Sequence, residues 1–333
     1  IDEASQILEP NLLGILCARH KNQTAIDKFI FIGDHKQLPA VVQQSERESI
    51  VSEPELIKIG MSDCRNSLFE RLINIQKKNG SEEFIHMLFK QGRMHPEISS
   101  FSNEIFYEKK LKPIPLKHQL EILHCPSYDK SDGLQNLIAS HRLAFIVSKG
   151  DKNPISDKTN KDEAIRISAL LKTIYTINKN NFNPQTVGVI VPYRNQIALI
   201  RKEIKQLNIP ALSDITIDTV ERYQGCERDF IIYGFTVQKI YQLEFLTGNV
   251  FKDNGQTIDR KLNVVLTRAR KQLFLIGNPQ ILSYNIIFQK LIKFIDNRQG
   301  VCDIPTEYFI QGKFSCSPAD KTSVPDSRQK LNV

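Results

Sequence analysis

Short apolar runs rich in β-branched residues recur along this chain, and they restrict its architecture more than any other feature. They are Phe29–Gly33, Leu143–Ser148, Val187–Val191, Ile215–Val220, Phe230–Phe235 and Leu273–Gly277. Between several of them lie stretches with helical spacing. In Asp162–Ile177 the residues Ile165, Ile167, Ala169, Leu170, Ile174 and Ile177 form one broad apolar face. In Asn195–Leu207, Ile197, Ile200, Ile204 and Leu207 recur at steps of three and four. Strands alternating with helices predict an α/β fold built on a mostly parallel sheet.

The 333 residues suffice for two domains, or for one domain and part of another. Residues 1–60 read as the end of a first domain, 61–83 as a connector and 84–280 as a complete second domain. Residues 281–312 read as a C-terminal helical extension and 313–333, rich in Ser, Pro, Asp and Lys, as a disordered tail. The stretches Leu111–Gly133 and Gln238–Gln256 read as an irregular excursion and an insertion ahead of a helix over Asp259–Arg270. No initiator Met is present, and the chain opens inside a motif at Ile1-Asp2-Glu3, so it reads as a fragment that lacks its front part.

A net charge of +8 permits a nucleic-acid partner without requiring one, since a solvated basic surface gives the same balance. Cys17, Cys64, Cys125, Cys226, Cys302 and Cys316 contain no C-x-x-C pair, which leaves out zinc-ribbon and iron–sulfur spacing. Reduced thiols in a cytoplasm-like compartment, or a nucleus, fit that pattern. No apolar run approaches the ~18 residues of a membrane span.

Five polar blocks carry the chemistry. Asp2-Glu3 is an acidic dyad suited to a hydrated Mg²⁺ at Asp2 and an attacking water at Glu3, although paired acids also open helices as dipole partners. About thirty residues on, Gly33-Asp34-His35-Lys36-Gln37-Leu38-Pro39 places Gln37 where a terminal phosphate can be sensed; a plain surface turn is the alternative. In Gln91-Gly92-Arg93-Met94-His95-Pro96, Pro96 suits the first turn of a helix, and Arg93 just before it suits a phosphate across a cleft or a local surface bridge. The polar stretch Asp218–Asp229 lies between two apolar strands and reads as a ligand-facing loop. In Lys261–Lys271, Val264, Val265 and Leu266 pack on a sheet and Arg268 follows, aimed at the cleft.

In order, DEASQ, GDHKQLPAVV, QGRMHPEI, VGVIVPYRNQ, TVERYQGCERDFII and KLNVVLTRAR resemble motifs II to VI of superfamily 1B helicases. The type is that of the nonsense-mediated-decay RNA helicase and the helicase part of the replication helicase–nuclease. The resemblance covers about residues 1–278; SDKTNKDEA at Ser156–Ala164 also resembles a helix-opening segment of the family's second motor domain.

The implied fold is a RecA-like, doubly wound parallel sheet of the P-loop NTPase type, with one complete second motor domain and the C-terminal remnant of the first. The implied cofactors are ATP and Mg²⁺, with Asp2 on the metal and Glu3 activating water. Gln37 would couple the γ-phosphate to the strand, and Arg93 and Arg268 would be arginine fingers. Glu227 would bind the ribose hydroxyls, with Gln224, Asp34 and Gln91 lining the nucleotide. Tyr193, Gln196 and Thr219 would touch single-stranded DNA or RNA. A monomeric motor moving 5′ to 3′, with no membrane association, completes what the family implies.

Two departures matter. Gly92 stands where the family has a Tyr that sandwiches adenine, and no G-x-x-x-x-G-K-[ST] loop is present to cradle phosphates. A scaffold that kept the fold and lost the motor, or an ATPase that remodels nucleoprotein without unwinding, are the competing readings. The chain in isolation is expected not to hydrolyse ATP.

Overall fold

The computed structural model describes residues 1–311 apart from 82, 124–128, 130–131, 152–153 and 155. Its centre is a six-stranded sheet: β1 (Leu143–Val147), β2 (Val187–Ile190), β3 (Thr216–Asp218), β4 (Arg228–Gly234), β5 (Ala269–Gly277) and β6 (Val301–Cys302). The spatial order is β6-β1-β5-β4-β2-β3, and every neighbouring pair is parallel. The main helices are α1 (Leu68–Lys78), α2 (Pro96–Ile105), α3 (Gly133–Ser140), α4 (Lys161–Ile177), α5 (Arg194–Gln206), α6 (Arg260–Leu266) and α7 (Ile286–Asp296).

Successive side chains of a strand point to opposite faces, so an interior sheet needs a cover on each. Ala144, Ile146, Val189, Ile232, Phe274 and Ile276 pack with Leu137, Ile167, Leu170 and Ile200 from α3, α4 and α5. On the other face Phe145, Ile231, Tyr233, Leu273 and Leu275 pack with Phe101, Val264, Phe288 and Leu291 from α2, α6 and α7. The chain is therefore a doubly wound α/β protein of the RecA-like type. Local chemistry sets the helix starts: Asn160 caps α4 through the Glu163 N–H, Asp259 caps α6 through the Leu262 N–H, and Pro96 opens α2.

Within the expected connector 61–83 lies α1: Ser67 accepts from the Glu70 N–H and the helix buries Leu68 and Ile73. The expected helical extension 281–312 holds α7 and also β6, which completes one edge of the sheet. Two expectations need correction. The helix expected over Asp259–Arg270 ends at Leu266, and the chain then turns into β5. Phe29–Gly33 does not join the central sheet. It runs extended beside Ile1–Ala4, tied by Ile1 N to Ile30 O (2.9 Å), Ile32 N to Ile1 O (2.9 Å) and Ala4 N to Ile32 O (2.8 Å). The tail expected over 313–333 lies outside the described residues.

Two details bear on the site. The insertion before α6 contains an antiparallel hairpin, Val250–Asp253 with Gln256–Asp259, turned by Asn254 and Gly255, both at positive φ. An Asn-Gly pair adopts that turn readily. In the middle of β2, a Cβ on Gly188 would lie 1.6 Å from the Tyr223 hydroxyl, so only glycine lets that ring seat against the sheet.

Candidate active site

The site is assembled where the chain's first forty residues meet the loops around α6 and the amino end of β4. Gly33 brings its backbone close to Ser5, whose N would lie 2.9 Å from any Cβ there. The loop beginning at Asp34 thus leaves directly beside Ala4 and Ser5. Asp34 shapes it: its carboxylate accepts from Lys36 N (2.9 Å), Gln37 Nε2 (2.9 Å) and the Tyr107 hydroxyl (2.6 Å). With its amide nitrogen bound to Asp34, Gln37 presents Oε1 to Arg268 Nη2 at 3.0 Å.

Arg268 is 2% exposed, and its bonds go to Val264 O (3.0 Å), Thr267 Oγ1 (2.9 Å) and Gln37. It makes no ion pair among the described residues. Burial and the neighbouring Arg93 guanidinium lower its pKa to about 10, against the opposing pull of Tyr107, Glu3 and Asp34. Arg93 donates to Glu227 Oε2 (2.6 Å) and to Thr267 O (3.4 Å). Two guanidinium groups therefore share Thr267, one on its hydroxyl and one on its carbonyl.

Glu3 has φ 49° and ψ 35°, a left-handed backbone that non-glycine residues seldom adopt. Such conformations cluster at functional sites. Its carboxylate accepts from Gln6 Nε2 (2.5 Å), while Asp2 Oδ1 accepts from Glu3 N (2.9 Å); both acids are exposed.

This arrangement fits a polyphosphate. A buried guanidinium with only neutral partners carries a charge that desolvation makes costly and an anion would offset. It also fits Mg²⁺. Among the described residues no cluster of three or more His, Cys, Asp or Glu could hold a metal alone. Mg²⁺ keeps several waters and binds through one or two carboxylates together with substrate phosphates, so Asp2 alone could serve on the protein side and leave Glu3 free for the water.

The other expected residues fall in several places. Glu227 lies between Arg93 (2.6 Å) and Arg270 (3.6 Å). Gln224 donates to Leu38 O at 3.2 Å. Gln91 bonds Met94 through both ends of its amide (2.9 Å each) and so shapes the turn that carries Arg93. Beside Gly92 a Cβ would meet Leu116 at 3.2 Å and Ile114 at 3.6 Å, so aliphatic side chains crowd the position of the family's aromatic. Tyr193 stacks on Phe245 (4.8 Å, 21°), and half-buried Thr219 precedes the short helix Val220–Tyr223. Gln196 requires correction as a strand contact. It is fully buried, accepting from Asn160 N (2.8 Å) and donating to Asn160 O (2.9 Å), so it fixes the start of α4 and reaches no surface.

Several contributors escaped the sequence reading. Asn263 donates to Lys36 O (2.8 Å) and to the Tyr107 hydroxyl (2.8 Å), and Arg260 donates to His35 O (2.9 Å). Asn263 lies inside the KLNVVLTRAR block and was hidden only by the prominence of its arginines.

The AAA domain family matches residues 64–280. The chain belongs to the AAA domain family. This AAA domain chain is 31% identical over 301 residues to an uncharacterized ATP-dependent helicase of Methanocaldococcus jannaschii, a match covering 88% of this chain and 38% of that protein. It is 27% identical over 322 residues to the human DNA replication ATP-dependent helicase/nuclease DNA2, covering 92% of this chain and 27% of the relative. It is 28% identical over 295 residues to the DNA polymerase alpha-associated DNA helicase A of Saccharomyces cerevisiae, covering 85% and 38%. Within the AAA domain family the chain thus sits among the superfamily 1 helicases, as its motifs imply. It spans between 27% and 38% of the length of these relatives. Among the described residues no helix is long and apolar enough to cross a membrane.

Proposed function

We propose that this chain forms part of an ATP-driven motor on single-stranded nucleic acid, contributing a second motor domain and the Gln37 side of the nucleotide cleft. The supporting observation is Arg268: buried, with no ion pair among the described residues, 3.0 Å from Gln37 and beside Arg93. Bound ATP·Mg²⁺ would supply the phosphoryl group whose transfer to water drives movement. Asp2 would hold the hydrated cation, and Glu3 would orient the attacking water and accept its proton. Arg268 and Arg93 are positioned for charge that develops on the phosphoryl oxygens. Gln37 joins Arg268 to the loop fixed by Asp34, which gives a direct route from the nucleotide to the rest of the fold. Glu227, paired with Arg93 here, serves the ribose hydroxyls, with Gln224 beside it.

At the far ends of β2 and β3, Tyr193 and Thr219 border the path of the strand. The motor acts as a monomer moving 5′ to 3′, residues 1–60 belonging to its first domain and 84–280 to its second. These points follow the family pattern.

The test measures ATP turnover of the complete protein with poly-dT, with poly-U and with no polymer. Stimulation by at least one polymer is expected. Gln37→Ala should lower the stimulated rate ~10-fold or more, taking the ratio of stimulated to unstimulated turnover toward one. Turnover indifferent to both polymers in the wild-type protein would overturn the motor and favour a scaffold.

A further inference from the structure

We infer that Asp253, at the tip of the hairpin, is a positioning residue that locks the Gln37 loop against the second half of the chain. The inference rests on the motor reading and assigns a role to an insertion that the motifs leave unexplained. Asp253 is nearly buried, yet three basic side chains converge on it: Lys77 Nζ at 2.7 Å, Lys36 Nζ at 3.0 Å and His35 Nε2 at 3.5 Å. Two of the three, His35 and Lys36, immediately precede Gln37; Lys77 comes from the last turn of α1.

The grip extends beyond this cluster. His35 O accepts from Arg260 Nε (2.9 Å), Lys36 O from Asn263 Nδ2 (2.8 Å) and Leu38 O from Gln224 Nε2 (3.2 Å). Three backbone carbonyls flanking Gln37 are therefore held by side chains between residues 224 and 263. Arg260 is itself fixed by Glu70 of α1 (2.5 Å) and lies 4.1 Å from the centre of the Phe251 ring on the hairpin. Lys36 completes the frame by donating to Phe106 O (2.8 Å).

Within this frame Asp253 is the anion that lets two lysines approach one another, with the His35 ring packed beside them. Lys36 has one other carboxylate in reach, Glu108 at 3.8 Å. Removing one member of such a partly buried group leaves the remaining charges uncompensated. Without Asp253, repulsion between Lys36 and Lys77 and the hydration of both should draw Lys36 outward, and Gln37 with it. A displacement of about 1 Å in a positioning group can cost ~10²-fold in rate.

The experiment compares Asp253→Asn and Asp253→Glu with wild type in the complete protein, reading strand-stimulated kcat, the KM for ATP and hydrogen exchange of a peptide covering residues 33–40. For Asp253→Asn, kcat should fall ~10–100-fold with KM within about twofold, and exchange should quicken at 33–40 while peptides from β1 and β4 stay protected. Asp253→Glu, which keeps the anion, should recover most of the rate. If Asp253→Asn does not fold, Lys77→Met, made on the exposed side of the cluster, should show the same selective exchange and a smaller loss of kcat. Wild-type turnover with Asp253→Asn equally active, or faster exchange spread over the whole sheet, overturns this proposal alone. A wild-type protein without strand-stimulated turnover overturns it together with the motor reading.

Discussion

Arg268→Ala is expected to lower strand-stimulated ATP turnover of the complete protein by ~10³-fold or more, with nucleotide affinity changed only a few-fold. The expectation follows from the surroundings of the guanidinium. Buried, with carbonyl, hydroxyl and amide partners only, it gains its largest electrostatic benefit when negative charge accumulates in front of it. An interaction that strengthens as the reaction proceeds appears in kcat more than in binding. Arg268→Lys should rescue little, because an ammonium cannot bond Val264 O, Thr267 Oγ1 and Gln37 Oε1 in the same planar fork. Thermal stability should change modestly, since burial already disfavours this charge in the resting protein. Single-turnover rates and fluorescent-nucleotide titration are the measurements; near-normal turnover removes Arg268 from the chemistry.

Glu163→Gln is expected to flatten the loss of folding stability between pH 5 and pH 8. Burial raises the Glu163 carboxyl from its ordinary 4.5 to about 8, although the Thr236 N–H and the Ser148 hydroxyl pull the other way. The folded protein then keeps this proton where the unfolded chain has already released it. The stabilisation is complete below about pH 4.5 and fades as pH rises through 8, amounting to a few kcal/mol across the window. Gln carries the protonated shape without the ionisation, so the variant should lose less stability than wild type over that range. Denaturant titrations of both proteins at pH 5 and pH 8 decide the matter. Equal pH slopes would show that Glu163 does not hold its proton in the fold.

The sheet was legible because its strands are apolar on both faces and leave long runs in the sequence, Leu273–Gly277 above all. β6 was not, since two residues, Val301 and Cys302, have no period to detect. The helix α1 was readable in hindsight: Ser67 followed by Glu70 is a helix-start signature ahead of Leu68, Leu72 and Ile73. The site shows the same division. Residues with distinctive chemistry, such as Gln37, Arg93 and Arg268, stood out as motifs. The groups that hold them, Asn263, Arg260 and Asp253, act through carbonyls and lysines far away in sequence, and no local pattern encodes such pairings. Gln196 failed as a strand contact for a related reason, because its polarity serves the buried backbone of Asn160.

The tyrosine ring that rests on bare backbone at Gly188 makes an interior sheet position answerable for the cleft. Alanine there would have to lift Tyr223, and Gln224 would swing off the Leu38 carbonyl with it. A hunt for inert variants should therefore recover position 188 alongside the arginines, even though that residue offers no chemistry of its own.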